Sequence, residues 1–348
     1  MTTNDKIWRE FFIEEIFDIL PGKRLTKSEM IAGDTPFIGA SDSNNGVTAF
    51  VGNENNSADE NFLSVSYNGS VCECFYQPYR CLCSDDVKRF HLKNHAGNKY
   101  IYLFLANVIK QQKGKYNYGY KFNESRMRRQ KIFLPVTEDG SPDFDYMENY
   151  MRAIEGKLLQ RYRDFVREVD AVKVPPFNEK IWRSFIIGEL FRLEAGKAKG
   201  LNHLEQDASG ISYLGATNRN NAVLTFVRPV ENLIQRGNCI AFIRNGEGSV
   251  GYSVYKREDF IATSDITCGY ADFLNEFIGM FITTVADKVR GKYNFNYKRS
   301  DTRLKNERLM LPVTEDGSPD FEYMEAYVKN LVAEKYRRYL DYIGDDCK

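Results

Sequence analysis

Two segments of the chain concentrate basic side chains among tyrosines and asparagines. Residues 110–131, KQQKGKYNYGYKFNESRMRRQK, contain eight Lys or Arg and one acidic residue, and residues 288–308, KVRGKYNFNYKRSDTRLKNER, contain eight and two. Lys and Arg can neutralise phosphates, while the Asn and Tyr between them can reach sugars or base edges. The pattern predicts a nucleic-acid contact in each segment, and the alternative interpretation is a solvated face beside a buried strand.

We expect the contacts to come from the basic, tyrosine and asparagine side chains around the shared GKYN sequence. These candidate residues are Lys113, Lys115, Tyr116, Asn117, Tyr118, Lys121, Arg126, Arg128, Arg290, Lys292, Tyr293, Asn294, Lys298, Arg299 and Arg303. Asn117 and Asn294 are the candidates for contacts with base edges, and the basic residues are the candidates for contacts with phosphates.

The two basic segments belong to a duplication of a whole unit. Four stretches recur in the same order at offsets of 174 to 177 positions, obtained by subtracting paired positions such as 311 minus 134. The pairs are KIWREFFIEEIF at 6–17 and KIWRSFIIGELF at 180–191, PFIGASDSNNGVTAFV at 36–51 and SYLGATNRNNAVLTFV at 212–227, KGKYNYGYK at 113–121 and RGKYNFNYK at 290–298, and LPVTEDGSPDF at both 134–144 and 311–321. Such a tandem repeat predicts two homologous domains.

The composition is typical of a globular protein of the cytoplasm. The chain has 348 residues, 43% of them hydrophobic, which is enough to bury two cores. Its longest apolar stretch, IYLFLANVI, is too short to span a bilayer, and its start, MTTNDKIWREFFIEE, lacks a signal-peptide pattern. We therefore expect a soluble cytoplasmic protein with no membrane partner, whose seven cysteines are reduced thiols. The net charge is zero, so the positive charge is a local property of the two segments.

Each repeat is expected to combine strands with a few helices. Short apolar runs such as TAFV, FLSVSY and IFLPV, broken by Gly, Asn, Pro and Asp, predict strands joined by turns. Helices are predicted near residues 98–111 and 272–288. The expected fold class is therefore α+β, with two tandem homologous globular domains.

A long helix is predicted after each copy of LPVTEDG. Ser141 is the expected N-cap, and Pro142 suits the first helical turn. Apolar residues then recur at spacings of three and four, which predicts one apolar seam along each helix. The seam residues are Met147, Met151, Ile154, Leu158, Tyr162, Phe165 and Val169 in the first copy, and Met324, Val328, Leu331, Tyr336, Tyr339 and Ile343 in the second. We expect the two seams to pair as an antiparallel coiled coil.

The predicted organisation has four segments. Globular domains at 1–141 and 174–318 are each followed by a helix, at 142–173 and 319–348. At 1.5 Å per residue the helix from about 142 to 170 is roughly 43 Å long. Two domains held that far apart match major-groove sites one DNA turn apart, about 34–36 Å, so the geometry favours contact with two stretches of one duplex.

The two repeats share their framework segments but differ elsewhere. Residues 52–66 and 91–112 show little likeness to residues 228–239 and 265–289. One scaffold that carries two different faces would suit the recognition of two different sequences.

The whole pattern resembles a known family. Each repeat runs from a W..F.I opening, through a glycine and asparagine turn and a GKYN...K basic loop, to an LPV strand and a long helix. This order resembles the DNA specificity subunits of restriction-modification systems of type I or type IIB, and the resemblance covers nearly the whole chain. The short length and the LPVTEDGSPDF ending look more like the compact type IIB subunits than like the longest type I examples.

The resemblance implies a DNA reader without catalytic residues. In such subunits each globular domain is a target recognition domain that reads one half of a split sequence, while the helices set the spacer and dock partner chains. The implied partners are double-stranded DNA and the DNA adenine methyltransferase or restriction subunits. The subunit itself would need no cofactor, because S-adenosylmethionine and Mg²⁺ would belong to those partner chains.

Two catalytic or metal-binding interpretations are disfavoured by the sequence. Pro142-Asp143 followed by Glu155-Gly156-Lys157 has the form of a nuclease motif, but both parts fall on one predicted helix about 18 Å apart. Four cysteines, at positions 72, 74, 81 and 83, have a spacing that could hold zinc, but the corresponding hairpin of the second repeat has no cysteine. The Asn/Asp-Pro-Pro-aromatic motif of adenine methyltransferases is absent from the sequence.

The alternative functional class is a repeat adaptor without enzymatic activity. Such a protein would bind protein or RNA through the same two faces. A preference for one split duplex sequence, with binding that weakens as salt rises, separates the DNA reader from the adaptor.

Overall fold

In the computed structural model, residues 6–117, 119–170, 174–294 and 296–344 are described. The chain forms two compact units, Met1–Leu159 and Gln160–Lys348, and the division falls inside a long helix. The four-segment division expected from the sequence stays a prediction, and its residues 171–173 and 345–348 lie outside the described parts.

The first unit contains nine strands and the beginning of that long helix among its described residues. In chain order the elements are β1 (Trp8–Phe12), α1 (Ile13–Ile16), β2 (Phe17–Pro21), β3 (Ala32–Ile38), β4 (Val47–Val51), β5 (Phe62–Ser66), β6 (Cys74–Gln77), β7 (Leu82–Cys83), β8 (Val87–Leu92), α2 (Lys99–Lys110), α3 (Glu124–Arg129), β9 (Lys131–Pro135) and α4 (Phe144–Asp170). The strands form sheets of order β2-β8-β5-β6, β4-β3-β7 and β1-β9, and every pairing is antiparallel except β3 with β7.

The second unit repeats this order of elements with one additional strand, at Ile234–Gln235. They are β10 (Trp182–Ile186), α5 (Ile187–Leu190), β11 (Arg192–Ala195), β12 (Gln206–Leu214), β13 (Val223–Val227), β14 (Ile234–Gln235), β15 (Cys239–Ile243), β16 (Ser253–Lys256), β17 (Phe260–Ala262), β18 (Ile266–Tyr270), α6 (Glu276–Ala286), α7 (Asp301–Lys305), β19 (Arg308–Pro312) and α8 (Phe321–Tyr342). The sheets have the orders β11-β18-β15-β16, β13-β12-β17-β14 and β10-β19. The predicted α+β class with two tandem homologous domains, each followed by a long helix, is confirmed.

The helices α2 and α6 fall where the sequence predicts helices. An asparagine caps each of them, because the side-chain oxygens of Asn98 and Asn275 accept hydrogen bonds from the first backbone N–H groups of the helix. The apolar side of each helix is buried in the main core of its own unit, where Leu105 and Ile282 are fully covered. These helices therefore fix the position at which the basic segments begin.

An aspartate, and not the predicted serine, caps each long helix. Asp143 accepts a hydrogen bond from the Tyr146 N–H at 2.8 Å and binds Lys6 at 2.6 Å. The prediction of Ser141 as the N-cap is wrong, because its hydroxyl and N–H both donate to Asp139 within a tight turn. Pro142 pairs with Val136 and precedes the helix. Asp320 repeats the arrangement of Asp143.

The long helices pair antiparallel, as predicted, over the part that lies in the second unit. The ring of Tyr162 stacks on Tyr336 with 4.1 Å between centroids, and Val166 and Val169 pack against Ala333. Val169 also lines one pocket with Ala326. From Tyr162 to Val169 the residue numbers on α4 rise, while those of the neighbouring residues on α8 fall from Tyr336 to Ala326. The pairing is therefore antiparallel.

The prediction of one continuous seam along each helix is wrong. Met147 belongs to the core of the first unit, and Met324 belongs to the core of the second. Beyond these residues, Ile154 and Leu158 are 46% and 42% exposed. The first turns of each helix thus pack on their own domain, because the same apolar spacing serves two different partners along one helix.

Among the helices that the structure describes, none combines the length and the apolar composition that crossing a bilayer requires.

We predict that Asp143→Asn lowers the free energy of unfolding at neutral pH and loses this effect in acid. Asn keeps the cap but not the charge that pairs with Lys6, so the loss at pH 7 should be about 1–2 kcal/mol. Burial raises the pKa of Asp143, but the hydrogen bonds from Lys6 and from the Tyr146 N–H outweigh it, and the net pKa lies below its ordinary value of 3.8. The contribution is therefore complete above that value and disappears as the pH falls through the lowered pKa.

Urea unfolding of wild type and variant at about pH 7 and about pH 3 measures this difference. Asp145→Asn is the matched control, since Asp145 lies exposed in the same first turn. A difference between wild type and Asp143→Asn that stays constant down to the acid limit would contradict the assignment.

Candidate nucleic-acid interface

Each basic segment folds into the same loop. We call residues 113–129 basic loop 1 and residues 290–306 basic loop 2. In each loop, a turn of 3-10 helix is followed by an isolated β-bridge and then by a short helix. The bridge pairs Asn117 with Tyr120 in the first repeat and Asn294 with Tyr297 in the second. The structure therefore brings the predicted residues that it describes into one loop of each repeat, next to α2 or α6, and most of them are at least partly exposed.

The two predicted asparagines hold the tips of these loops. The Asn117 side-chain oxygen accepts a hydrogen bond from the Tyr120 N–H at 2.9 Å. The Asn294 oxygen accepts from the N–H groups of Asn296 and Tyr297, also at 2.9 Å. Asparagine is suited to such turns because its short amide side chain can bond the backbone two or three residues on. A role in base reading stays a prediction, and each carboxamide oxygen already has a structural role.

A tyrosine and an arginine stack at the same place in both loops. The guanidinium carbon of Arg126 lies 3.8 Å from the ring centroid of Tyr120, and Arg303 lies 3.8 Å from that of Tyr297. The two tyrosines are 49% and 45% exposed. The sequence prediction named both arginines and missed both tyrosines, although the spacing N-x-x-Y is present in both repeats.

Several predicted cations already have partners within their own unit. Lys113 forms an ion pair with the buried Glu73, and Arg128 binds Glu124 at 2.8 Å. The Lys115 ammonium donates to the Gln112 side chain at 2.7 Å. A cation next to a carboxylate attracts phosphate less strongly, so the eight basic residues of a segment are not eight equal phosphate contacts.

The remaining predicted positions lie on the same loops. Arg290 and Lys292 are exposed, and the Arg290 guanidinium lies 4.6 Å from the ring centroid of Tyr252. Lys121 and Lys298 offer their backbone carbonyl oxygens to Arg126 and Arg303. Tyr118 lies outside the described residues.

Arg299 is the one predicted contact that the structure places in the protein interior. Its side chain is 0% exposed, binds Glu307 with two nitrogens, and donates to the Gly251 carbonyl oxygen at 3.2 Å. The expectation that Arg299 contacts nucleic acid is therefore corrected. Its charge is neutralised inside the fold, because a buried cation needs a buried partner.

The first repeat fills the same place with uncharged residues. The counterparts of Arg299 and Glu307, 177 positions earlier, are Phe122 and Gln130, and both are buried. The acceptor role is kept, because Tyr116 donates its hydroxyl to Gln130 at 2.6 Å and Tyr293 donates to Glu307 at 2.6 Å. The two tyrosines therefore anchor their loops and do not offer a free hydroxyl.

Burial raises the pKa of both anchoring tyrosines. Desolvation is the largest cause for Tyr116, and for Tyr293 the hydrogen bond to the Glu307 carboxylate adds to it. Both groups therefore remain neutral hydrogen-bond donors at physiological pH. Neither tyrosine has the lowered pKa that a tyrosine acting as a base would need.

The residues of the two disfavoured interpretations have structural partners. Asp143 pairs with Lys6, while Glu155 pairs with Lys99 and accepts from the Tyr100 hydroxyl. The six cysteines that are described are buried and form no disulfide. Among the described residues, no three His, Cys, Asp or Glu side chains converge in a way that could hold a metal ion.

Comparison of the sequence with known families gives one match that appears twice. The model described as Type I restriction modification DNA specificity domain matches residues 5–161 and residues 179–338. The specificity subunit S.BcgI of a type II restriction enzyme from Heyndrickxia coagulans is 54% identical over 157 residues. That match covers 45% of this chain and 46% of the relative, so it spans about half the length of the curated relative.

Comparison with solved structures shows the fold. The S subunit of a type I restriction-modification system from M. genitalium matches over 99% of this chain and 94% of its own, with a TM-score of 0.50 and 13% identity. The HsdS subunit from Thermoanaerobacter tengcongensis matches over 96% and 91%, with a TM-score of 0.34 and 12% identity.

We predict that Arg299→Ala destabilises the second unit and that exchange of the buried pair restores its stability. Removal of one partner leaves Glu307 unpaired in the interior, which should cost about 3–5 kcal/mol. The double variant Arg299→Phe with Glu307→Gln reproduces the pair of the first repeat, so it should recover most of that loss. Denaturant unfolding of the two variants and of wild type measures both effects.

Lys292→Ala is the control, because Lys292 is an exposed cation of the same loop. An Arg299→Ala protein as stable as the Lys292→Ala protein would show that the buried pair does not support the fold.

Proposed function

The chain belongs to the family of type I restriction modification DNA specificity domains, and we propose that it selects the DNA sequence for a restriction-modification complex. The observation that carries the proposal is the pair of basic loops. They have the same turn and the same tyrosine–arginine stack in the two domains of this chain. A duplicated cationic loop is suited to the regularly spaced phosphates of one duplex. An adaptor for RNA or another protein remains the alternative, and it would show no preference for a split duplex sequence.

We further propose that each domain reads one half of a bipartite target. Residues 52–66 and 91–112 of the first repeat differ from residues 228–239 and 265–289 of the second, while the basic loops are similar. Base edges are read by side chains that vary with the target, whereas phosphate contacts carry no sequence information. The expected target is therefore two unlike half-sites, with a spacer of unspecified bases between them.

In the proposed function, this chain has no catalytic role of its own. Methylation of adenine and cleavage would be carried out by partner chains in the cytoplasm, and S-adenosylmethionine and Mg²⁺ would bind to those chains. The carboxylates that resemble a nuclease motif support this division, because both of them are bound to lysines.

Each domain carries an apolar groove, which we propose as the docking site of such a partner. Groove 1 is a cavity of about 470 Å³ between β1, β9, α2 and α4, and groove 2 is a cavity of about 600 Å³ between β10, β19, α6 and α8. Five large apolar residues line equivalent positions of the two grooves. They are Trp8, Phe104, Phe133, Tyr150 and Ile154 in groove 1, and Trp182, Phe281, Met310, Tyr327 and Leu331 in groove 2.

Several large apolar side chains of the grooves are exposed to solvent. Phe133 and Met310 are 56% and 49% exposed, and Ile154 and Leu331 are 46% and 43% exposed. Exposed apolar clusters are characteristic of surfaces that bind other proteins. Because the cluster recurs in both repeats, we propose that the grooves hold equivalent apolar segments of two copies of a methyltransferase or restriction subunit, one for each half-site.

We predict that the long helices set the spacer between the half-sites. Insertion of seven residues after Arg161 and after Arg338, which are equivalent positions, keeps the apolar spacing and lengthens the paired helices by about 10 Å. The preferred spacer should grow by about three base pairs at 3.4 Å each, with both half-sites unchanged. Sequencing of methylated adenines in cells that carry the variant and its partner chains gives the spacer directly. A spacer that keeps its original length would show that the helices do not measure it.

We predict that each groove binds one copy of the partner. Phe133→Glu and Met310→Glu place a charge in groove 1 and groove 2, and each variant should lose one of two partner copies while the double variant loses both. Native mass spectrometry of the complex formed with a coexpressed methyltransferase subunit measures the stoichiometry. Leu224→Glu is the control, since Leu224 is 53% exposed on β13 outside both grooves. Two partner copies on every variant would exclude the grooves as docking sites.

A further inference from the structure

We propose that Arg126 and Arg303 are two equivalent phosphate clamps, and that Tyr120 and Tyr297 are the residues that position them. The inference rests on the proposed function, which it deepens by separating residues that hold the DNA backbone from residues that read its sequence. It also changes the ranking of the basic residues, because the sequence alone gave all of them the same role.

Each arginine is fixed at three points before any ligand binds. The backbone N–H of Arg126 donates to the side chain of Asn123, which caps α3. The Nη1 group of the guanidinium donates to the Lys121 carbonyl oxygen at 2.6 Å. The guanidinium then lies on the Tyr120 ring. An arginine that is already ordered loses less conformational freedom on binding than an arginine on a free side chain.

The second repeat builds the same arrangement from a partly different sequence. The backbone N–H of Arg303 donates to the Ser300 hydroxyl oxygen, which caps α7. The Nη1 group of the guanidinium donates to the Lys298 carbonyl oxygen at 2.7 Å. The guanidinium lies on the Tyr297 ring at the same 3.8 Å distance. Asn123 in one repeat and Ser300 in the other cap the short helix in the same way, so the geometry is conserved between the repeats although the residue type differs.

The tyrosine rings are themselves held in place. Tyr120 lies parallel to Tyr116 with 5.8 Å between centroids and 4° between planes, and Tyr297 lies parallel to Tyr293 with 6.1 Å and 14°. Tyr116 and Tyr293 are anchored inward by their hydroxyl groups. A chain of contacts therefore runs from the interior of each domain to the guanidinium of a half-buried Arg126 in the first repeat and of an exposed Arg303 in the second.

One edge of each guanidinium remains available for a ligand. The Nη1 groups are bound, whereas the Nε and Nη2 groups of Arg126 and Arg303 have no hydrogen-bond or carboxylate partner among the described residues. Two parallel N–H donors fit two oxygens of one phosphate. Arg128 and Arg299, in contrast, direct their charge to Glu124 and Glu307.

The duplication favours a phosphate over a base as the ligand. Two domains that read different half-sites need different base contacts, but they meet the same sugar-phosphate backbone. The clamp has the same arginine and tyrosine and nearly the same distances in both repeats, while other segments of the repeats diverge. A contact common to both domains is therefore expected to be independent of sequence.

The test compares five single variants of basic loop 1, and the double variant Arg126→Ala with Tyr120→Leu, in the full chain purified with the subunits that it binds. The single variants are Arg126→Ala, Arg126→Lys, Tyr120→Phe, Tyr120→Leu and, as a matched control, Arg129→Ala. Arg129 belongs to the same helix, but its guanidinium bonds Ser125 and contacts no ring. Affinity is measured for a duplex with the target selected from a random pool and for a scrambled duplex, over a range of salt concentrations.

Arg126→Ala should weaken binding to both duplexes by the same factor, about tenfold, and lower the slope of log affinity against log salt by about one. Arg126→Lys and Tyr120→Leu keep the charge, so affinity should fall while the slope is unchanged. Tyr120→Phe should bind like wild type, because the ring remains. In an Arg126→Ala background, Tyr120→Leu should cause no further loss, which separates positioning of the arginine from general damage to the loop.

Three results would overturn the inference. The first is a change of base preference at one target position in Arg126→Ala with unchanged binding to the scrambled duplex, which would make Arg126 a base reader. The second is an Arg126→Ala effect no larger than that of Arg129→Ala. The third is additive losses from Tyr120→Leu and Arg126→Ala. If the wild-type complex did not distinguish target from scrambled duplex while both still lost affinity equally in Arg126→Ala, the clamp would stand and the proposed function would fail.

Discussion

Each repeat depends on one half-buried ion pair that joins a lysine two residues before its first strand to the N-cap of its long helix. Lys6 with Asp143, and Lys180 with Asp320, join nitrogen to oxygen at 2.6 Å, and the same aspartates cap α4 and α8. These contacts explain why LPVTEDGSPDF is written twice without change. Its letters supply the last strand, a turn that Asp139 closes, a glycine at φ +84°, a bridging proline and the cap. Replacement of the aspartates that close the turn and cap the helix would disturb the exit of the helix from its own domain.

The duplication preserved contacts more strictly than it preserved residue types. Arg299 and Glu307 occupy the place of Phe122 and Gln130, and the tyrosine above them keeps its acceptor in both cases. A buried ion pair and an aromatic–amide pair are different solutions to the same problem, which is to cover the core and satisfy one hydroxyl. A comparison of letters alone would place a functional cation at Arg299, whereas the packing of the loop shows a structural one.

The features that sequence reasoning found are those set by local pattern. The repeat, the helices α2 and α6, the long helices and the two basic loops all follow from spacing and composition within short windows. The features that it missed depend on partners distant in sequence or on packing: the burial of Arg299 beside Glu307, the cap at Asp143 that also needs Lys6, and the role of Tyr120 under Arg126. The single seam was mispredicted for the same reason. Apolar spacing shows that a helix face is buried, but it does not show that one partner buries all of it.

The net charge of zero conceals how the positive charge of the loops is distributed. Glu73 and Glu124 neutralise cations of basic loop 1, and Glu307 neutralises one in basic loop 2. Arg126 and Arg303 lie on a tyrosine ring, and their Nε and Nη2 groups have no hydrogen-bond or carboxylate partner in the part of the chain that the structure describes. The ion pairs that fix each long helix and the proposed clamps therefore use different residues from the segments in which the repeats diverge. The grooves do not share this separation, because Phe104 and Phe281 lie in divergent segments. That separation has a physical consequence for a protein with the proposed function. Residues that read bases can be exchanged without loss of the contacts that hold the long helix or the phosphate, so a new target would not require a new fold.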